Sequence, residues 1–320
     1  MKAVIIEGER LSWQEAEEPQ AGVGEVLIAV HATAVNRADL VQRSGGYPPP
    51  PGASKILGLE CAGEVLAIGE GVTRVKPGDR VCALLAGGGY AERVAVPAGQ
   101  VLPVPSGLDM LQAAALPEVF ATAYLNLYTE ARLERGERVL IHAGASGVGT
   151  AAIQLCSTTS NPCFVTVGNP QKIERCVALG AEGGWDRHQG SFLEAVRQWG
   201  GVDVVLDPVG AGYLADNLSC LNIDGRLSLI GLMGGVQSEI NLATVVMKRI
   251  RIIGSTLRAR SAAAKSLVMD GLQRDVWPHL EAGSIVPIID EVLPIESAER
   301  AHELMAGDQT FGKLVLQIVE

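Results

Sequence analysis

Residues 138–155, RVLIHAGASGVGTAAIQL, constrain the fold more than any other stretch of the chain. The apolar run predicts a buried strand, the glycines at 144, 147 and 149 predict a sharp reversal, and the tail predicts a helix. Counted from Gly147, the pattern is G-x-G-x-x-A, a permitted variant of the dinucleotide fingerprint. Glycine at 147 and 149 would let a pyrophosphate approach the helix N-terminus, whose free N–H groups favour anions. Taken alone, the turn could equally serve helix–strand packing.

The segments around this turn favour the dinucleotide site. From about residue 120, five apolar strands alternate with helical periods: RVLIHA, CFVTVG, VDVVLD, RLSLIGL and IRIIGST. Such alternation predicts a doubly wound parallel sheet. Residues 1–115 instead show short strands broken by Gly and Pro, typical of a small β-rich domain that is partly rolled up.

The C-terminal part of the chain has no strand–helix–strand unit. After about residue 260 we predict a long helical stretch, a strand EVLPI, a helix from Ser297 and a final strand KLVLQIV. This tail is expected to pack on the first domain. The chain is therefore predicted to be an α/β protein with one domain over 1–119 and 260–320 and a second domain over 120–259.

Composition narrows the class of function. The net charge of −10 argues against a protein that binds nucleic acid through its phosphates. Six scattered cysteines without a C-x-x-C pair predict reduced thiols, not disulfides or metal ligands. The apolar stretch before Glu7 is too short for a signal peptide, and no run approaches the ~18 apolar residues of a membrane span. A soluble, cytoplasmic protein without a membrane partner is expected.

The residues after CFVTVG indicate which dinucleotide is bound. An NAD enzyme usually places an acid there to accept from the ribose 2′-OH, but here Gly168 is followed by Asn-Pro-Gln-Lys. Asn169 is predicted to cap a helix, with Pro170 at its first position. Lys172 then lies in the first turn, where a cation is disfavoured unless an anion such as a 2′-phosphate is near; the alternative is an ordinary solvated lysine. Arg187 could add a second positive charge, so NADP(H) is favoured over NAD(H).

Four segments together resemble the medium-chain dehydrogenase/reductase superfamily: residues 35–65, residues 75–97, GASGVGTAAIQL and FGKLVLQI. They resemble most its quinone oxidoreductase branch, which includes zeta-crystallin. The resemblance covers nearly the whole chain and implies a GroES-like catalytic domain with a Rossmann cofactor domain. Asn36 and Leu59 stand where zinc members have Cys and His, and the four-cysteine zinc lobe is missing. Glu60 remains, but one carboxylate does not hold a metal, so a zinc-independent member without a metal is implied.

The same resemblance implies the site residues. Asn36 and Tyr47 would lie beside the nicotinamide ring, and a hydrogen bond from either would stabilise charge on the substrate oxygen. In the family a tyrosine often occupies the position of Arg187. The alternatives without ligand contact are that Asn36 forms a turn and that Tyr47 packs before a proline run. His31 and His142 are predicted to be structural. The further cofactor contacts implied are Thr122, Ser146, Gly147, Val148, Gly168, Lys172, Arg187, Leu232, Met233, Gly234, Leu257 and Arg258.

The function expected is that of a zinc-independent NADPH:quinone oxidoreductase. A quinone accepts electrons readily, so its reduction requires no metal Lewis acid. One alternative is an NADPH-dependent alkenal or enone double-bond reductase, and another is a nonenzymatic NADPH-binding protein, either RNA-binding or crystallin-like. The strand RIRIIGSTL (249–257) should leave an unpaired sheet edge, which predicts a homodimer or a tetramer of such dimers. The alternative is a monomer whose edge is covered by the C-terminal helices.

Overall fold

The computed structural model describes residues 1–8 and 10–318. Within them the strands are, in chain order, β1 (Lys2–Glu7), β2 (Arg10–Glu15), β3 (Glu25–Ala34), β4 (Glu60–Ile68), β5 (Arg80–Leu84), β6 (Arg93–Pro97), β7 (Val101–Pro103), β8 (Val139–His142), β9 (Cys163–Val167), β10 (Gly183–Asp186), β11 (Val202–Asp207), β12 (Leu221–Leu229), β13 (Arg251–Gly254), β14 (Ile289–Pro294) and β15 (Lys313–Gln317). The α-helices are α1 (Arg37–Arg43), α2 (Met110–Ala114), α3 (Pro117–Tyr124), α4 (Gly147–Thr158), α5 (Pro170–Ala178), α6 (Leu193–Trp199), α7 (Leu214–Cys220), α8 (Leu242–Lys248), α9 (Ala262–Asp275), α10 (Trp277–Glu281) and α11 (Ala298–Ala306).

The chain divides into two compact units, the first formed by residues 1–121 with 257–320 and the second by residues 122–256. The first boundary falls inside α3 and the second follows β13. The boundaries expected from the sequence, 119/120 and 259/260, differ from these by two and three residues. The difference matters at Leu257 and Arg258, which belong to the first unit.

The first unit is built on a seven-stranded sheet in the order β14-β15-β3-β4-β5-β7, with β6 paired to β3. Every pairing is antiparallel except that of β14 with β15. Alternate residues of β3 are fully buried, as expected for a strand with one face on a core. The C-terminal strand β15 pairs with β3, which confirms that the tail packs on the first domain. The final strand was predicted to reach residue 319, which lies outside the described residues.

The second unit is a parallel sheet in the order β10-β9-β8-β11-β12-β13. Because β8 is the first of these strands along the chain, the order reverses between β8 and β11, as in doubly wound nucleotide-binding sheets. The predicted parallel sheet is confirmed, but it has one strand more than the five predicted. The additional strand is β10, whose sequence GGWD carries two glycines and only one apolar side chain.

Two further properties concern the cysteines and the apolar character of the helices. All six cysteines are free and buried. Among the residues that the structure describes, no helix combines the length and the apolar character required to cross a bilayer.

Candidate functional site

The glycine-rich turn joins β8 to α4. Ser146 caps the helix, and its hydroxyl accepts a hydrogen bond from the Gly149 N–H at 3.0 Å. A Cβ atom at Gly149 would lie 2.4 Å from the carbonyl oxygen of Ala143 and 2.6 Å from that of Gly144. Glycine at 149 is therefore required by the close packing of the turn itself, a cause different from the open approach to pyrophosphate that the sequence suggested. Ala143 adopts a φ of +52°, a left-handed conformation that costs a non-glycine residue about 1–2 kcal/mol.

The first N–H groups of α4 are available to an anion. Those of Gly147 and Val148 have no backbone acceptor within residues 1–8 and 10–318, and Ser146, Gly147 and Val148 are all half-buried. A helix start with free N–H groups and the positive end of the helix dipole suits a pyrophosphate. The residues present therefore fit the nicotinamide dinucleotide that the fold implies.

The neighbouring strand ends carry the other predicted contacts. Asn169 caps α5 by accepting the Lys172 N–H at 2.8 Å, and Pro170 occupies the first helical position, as predicted. Lys172 lies in the first turn as predicted, but it is only 7% exposed. Gly168 is half-buried, and Arg187 follows β10 with an exposed side chain.

The loop after β12 packs on the loop after β11. The Met233 N–H donates to the Pro208 carbonyl at 3.2 Å, and the Gly234 N–H donates to the Val209 carbonyl at 2.7 Å. Leu232 and Met233 remain half exposed. Since the carboxyl ends of parallel strands meet at one edge, this loop shares an edge of the sheet with the α4 turn and the start of α5. Thr122 belongs to the second unit, where its carbonyl accepts the Asn126 amide at 2.8 Å.

A buried hydrogen-bonded network lies beneath this edge. His142 contacts the Thr166 hydroxyl through Nδ1 at 2.9 Å and the Asn217 Oδ1 atom through Nε2 at 2.7 Å. Asn217 donates its Nδ2–H to Asp207 at 3.0 Å, and the other Asp207 oxygen accepts two backbone N–H groups. Burial lowers the pKa of His142 to about 4, so the ring is neutral and both of its nitrogens are engaged. His142 has the structural role predicted for it.

The first unit contains a second polar network, centred on Asn36. This residue follows β3 and is 8% exposed. Its Nδ2 atom donates to Glu60 Oε1 at 2.8 Å and to the Ala34 carbonyl at 3.2 Å, while its Oδ1 atom accepts from Lys313 Nζ at 2.7 Å. Both amide hydrogens are thus engaged within the protein. Asn36 is held too firmly to donate to a substrate without breaking one of these bonds.

Glu60 links Asn36 to the start of α3. The residue is 0% exposed, and its Oε1 atom also lies 2.7 Å from Lys313 Nζ. Its Oε2 atom accepts the backbone N–H of Glu118 at 2.9 Å. One carboxylate therefore fixes the Asn36 amide and the first turn of α3 in the same place.

Glu118 is the member of this network with an unused oxygen. Its Oε2 atom is buried and has no hydrogen-bond partner among the described residues. Burial raises the pKa of Glu118 to about 8; the charge of Glu60 adds to the rise, and the ammonium groups of Lys313 and Lys265 oppose it. Strongly shifted carboxyl groups of this kind are frequent in active sites.

Tyr47 adjoins this network and is held by Arg258. The guanidinium lies 5.4 Å from the centre of the Tyr47 ring, a cation–π distance, and Nη1 donates to the Tyr47 carbonyl at 3.2 Å. Arg258 also donates to the Ala86 carbonyl and to Gln42. Burial raises the pKa of Tyr47, and the charge of Glu118 raises it further. The Tyr47 hydroxyl has no hydrogen-bond partner within the described chain.

Site roles were predicted from the sequence for Asn36, Tyr47 and Arg258 but not for Glu118 and Lys313. Glu118 interrupts the apolar stretch AAALPEVFATAY, and Lys313 stands at the start of the apolar stretch KLVLQI. Charged side chains are seldom buried unless paired, so these positions carried a signal for a buried polar cluster. The partner of each charge lies far away in the sequence.

Two family models match the chain. One is the alcohol dehydrogenase GroES-like domain, over residues 22–106, and the other is described as zinc-binding dehydrogenase, over residues 147–271. The residues present do not fit zinc, because Leu59 has no donor atom, the Asn36 amide is fully bonded and both Glu60 oxygens are engaged. Within residues 1–8 and 10–318, no group of three or more His, Cys, Asp or Glu side chains is arranged to hold a metal.

The chain is similar over most of its length to several known proteins. It is 32% identical to the synaptic vesicle membrane protein VAT-1 homolog of Rattus norvegicus, over 96% of this chain and 80% of that one. It is 31% identical to the quinone oxidoreductase of the same species, over 91% of this chain and 88% of that one. The solved quinone oxidoreductase of Thermus thermophilus, described together with its NADPH complex, superposes with a TM-score of 0.84 at 31% identity, covering 99% of this chain and 100% of that one. The chain belongs to the medium-chain dehydrogenase/reductase superfamily and is an oxidoreductase of its quinone oxidoreductase branch.

Proposed function

We propose that this protein is an NADPH-dependent, zinc-independent reductase of quinones. The observation that carries the proposal is the polar network of Asn36, Glu60, Lys313 and Glu118, with Tyr47 beside it. By the family resemblance Asn36 stands at a zinc-ligand position, and the network there offers hydrogen bonds and a carboxyl group instead of metal ligands. Similarity to quinone oxidoreductases, one of them solved with NADPH, supports the same proposed function.

The cofactor supplies the hydride when it is bound. The free N–H groups of Gly147 and Val148, together with Ser146, would hold its pyrophosphate, and Gly168, Lys172 and Arg187 would surround the 2′-phosphate. Thr122, the loop Leu232–Gly234 and the pair Leu257–Arg258 are proposed as further contacts.

The residues beside the nicotinamide divide their tasks. Asn36 has no amide hydrogen left to donate, so we assign it to positioning the ring. Tyr47 keeps a hydroxyl without a protein partner and donates a hydrogen bond to the acceptor oxygen. Such a bond stabilises the negative charge that grows on that oxygen during reduction.

Steady-state rates with three acceptors test the proposal. We expect kcat/KM with NADPH to be higher for 1,2-naphthoquinone and benzoquinone than for an α,β-unsaturated aldehyde, and to be unchanged by EDTA. A preference for the aldehyde would instead establish the enone reductase. NADPH binding without turnover of any acceptor would favour a nonenzymatic role, and a salt-titrated filter assay would then show whether RNA is bound.

The choice of NADPH over NADH depends on Lys172. If its ammonium contacts the 2′-phosphate, Lys172→Ala loses a charge-assisted bond of about 1.5–3 kcal/mol, which is a tenfold to hundredfold weaker affinity for NADPH. Affinity for NADH should change little. Arg197→Ala, on the exposed face of α6, is the control. Equal losses for both dinucleotides would contradict the assignment.

We also propose that the protein is cytoplasmic and assembles as a homodimer or a tetramer of dimers. β13 lies at the sheet edge, and Ile252 is 39% exposed there. On the adjacent α8, Leu242, Val246 and Met247 are also exposed. Light scattering at micromolar concentration should return a multiple of 33.5 kDa, and Ile252→Lys should shift it toward the monomer. A monomer mass for the unmodified chain would contradict the proposal.

A further inference from the structure

The network around Asn36 satisfies every member but one. Lys313 Nζ donates to the Val35 carbonyl and to Asn36, and it pairs with Glu60. Each Glu60 oxygen accepts a hydrogen bond. Glu118 stands apart, because its Oε2 atom is buried without a partner in the described chain. Buried carboxyl oxygens are normally hydrogen-bonded. We therefore expect the Glu118 Oε2 atom either to bind a ligand or to carry a proton.

The charges that face Glu118 come from several elements. The acidic neighbours are Glu60 of β4 and Asp39 of α1, and the cationic neighbours are Lys313 of β15 and Lys265 of α9. Glu118 in turn acts on Tyr47 and Arg258. Lys265 is buried, with Nζ 3.2 Å from the Arg258 carbonyl, and burial lowers its pKa. Glu118 thus lies among fixed charges that leave it close to balance between its two protonation states.

Resting on the proposed function, we infer that Glu118 is the acid that delivers a proton to the oxygen of the reduced acceptor. Tyr47, beside it, holds the acceptor by a hydrogen bond but keeps its own proton. Glu118 contacts the substrate in this role and is a catalytic residue.

The proton balance of the reaction requires such a donor. Reduction of a quinone to a hydroquinone takes up two electrons and two protons. A hydride accounts for both electrons and one proton, so one more proton must reach a quinone oxygen. The O–H bond of the Glu118 carboxylic acid breaks, a new O–H bond forms on the substrate, and the carboxylate left behind is reprotonated from solvent.

The other acidic groups nearby are less suited to the task. Asp39 is 1% exposed, and its two oxygens accept the N–H groups of Asn36 and Gly58. The pKa of Tyr47 lies above its usual value, so Tyr47 gives up a proton less readily than an ordinary tyrosine. The pKa of Glu118 is about 8, close to neutral pH, where a general acid works best.

The test compares Glu118→Gln with the unmodified protein, using 1,2-naphthoquinone at saturating NADPH. Glutamine keeps the size of the side chain but cannot give up a proton. We expect kcat/KM of the unmodified protein to fall above about pH 8, and kcat/KM of Glu118→Gln at pH 7 to be about a hundredfold lower and without that decline. Glu118→Asp should recover part of the rate together with the pH dependence. Glu64→Gln, at an exposed position on the same strand as Glu60, is the matched control.

A second measurement does not depend on turnover. In protein labelled with ¹³C at the glutamate carboxyl groups, one resonance should titrate near pH 8 and be missing from Glu118→Gln. Absence of that resonance, or a Glu118→Gln variant with the rate and pH profile of Glu64→Gln, would overturn the inference while quinone turnover upheld the proposed function. Failure of the unmodified protein to reduce either quinone or aldehyde would overturn both.

Discussion

In the second unit, no buried side-chain nitrogen or oxygen atom of His142, Asn217 or Asp207 lacks a hydrogen-bond partner among the described residues. In the first unit, the network around Asn36 also joins an amide to carboxyl groups and contains an ion pair besides, yet it leaves the Glu118 Oε2 atom without a partner among the described residues. Both networks are buried and both lie where strands end. They differ in that the described chain supplies all the hydrogen-bond partners of the His142 network but not those of the Asn36 network.

The difference separates a supporting role from a reactive one. A satisfied polar network fixes neighbouring elements, and His142 links the ends of β8 and β9 directly and that of β11 through Asn217, beneath the glycine-rich turn. A network with an open position gives up stability for a group that can act on a ligand. The two networks should therefore respond differently to substitution.

Loss of Lys313 should give the largest effect. Lys313→Met leaves the Glu60 carboxylate buried without its cation, and removing one partner of a buried ion pair costs about 3–5 kcal/mol. Urea unfolding measures the free energy. In the double variant Lys313→Met with Glu60→Gln, the loss of unfolding free energy should be smaller than the sum of the losses in the two single variants. The reason is that the double variant no longer buries an unpaired carboxylate. A loss below about 1 kcal/mol for Lys313→Met would show that this network does not hold the first unit together.

Loss of Asn217 tests the closed network of the second unit. Asn217→Ala removes the acceptor of the His142 N–H and a donor to Asp207, leaving two buried groups unsatisfied. We expect the free energy of unfolding to fall by about 2–3 kcal/mol. Gln198→Ala, at the surface of α6, should cost less than about 0.5 kcal/mol under the same conditions. Similar losses for both variants would remove the distinction between buried and exposed amides here.

The pH dependence of stability should distinguish Glu118 from its neighbours. Its pKa of about 8 in the folded chain lies above the ordinary value of 4.5, so the folded state holds a proton that the unfolded state releases. Stability is therefore greatest at low pH in this window and falls as pH rises toward 8. Between pH 6.5 and 8.5 the unmodified protein should lose about 1–2 kcal/mol relative to Glu118→Gln. His142 and His302, whose pKa values are lowered to about 4, act in the opposite direction but below pH 6.5. Parallel stability curves for the two proteins over this window would contradict the shift.

Local features of the sequence were sufficient to predict the parallel sheet of the second unit and the starts of two of its helices. The glycine turn, the Asn169 cap and the alternation of apolar strands depend on neighbours close in the sequence, and all three are found in the structure. β10 was not among the five strands predicted for this sheet, because GGWD has too few apolar side chains for a periodic signal. The sequence therefore predicts best where the forces are local.

The polar network could not be assembled in the same way. Asn36, Glu60, Glu118 and Lys313 come from four separate elements, and the Asn36–Lys313 bond spans 277 positions. Each charge was visible in the sequence, but its partner depended on sheet pairing such as that of β15 with β3. The same limit explains why Asn36 was expected to donate to substrate: nothing local shows that both of its amide hydrogens are already engaged.

Among these variants, Tyr47→Phe should give the smallest change in the free energy of unfolding, but it should lower kcat/KM for quinone. Its hydroxyl has no partner in the described chain, so the free energy of unfolding should move by less than about 0.5 kcal/mol. Loss of a hydrogen bond to the acceptor of about 1–1.5 kcal/mol would lower kcat/KM for quinone roughly tenfold. Tyr90→Phe is the informative counterpart, because that buried hydroxyl lies 3.2 Å from His302 Nε2 and 3.4 Å from Asp39 Oδ2. Its loss should reduce stability by about 1 kcal/mol or more. If Tyr47→Phe instead destabilised the protein and left kcat/KM unchanged, the open hydroxyl would serve the fold and not the substrate.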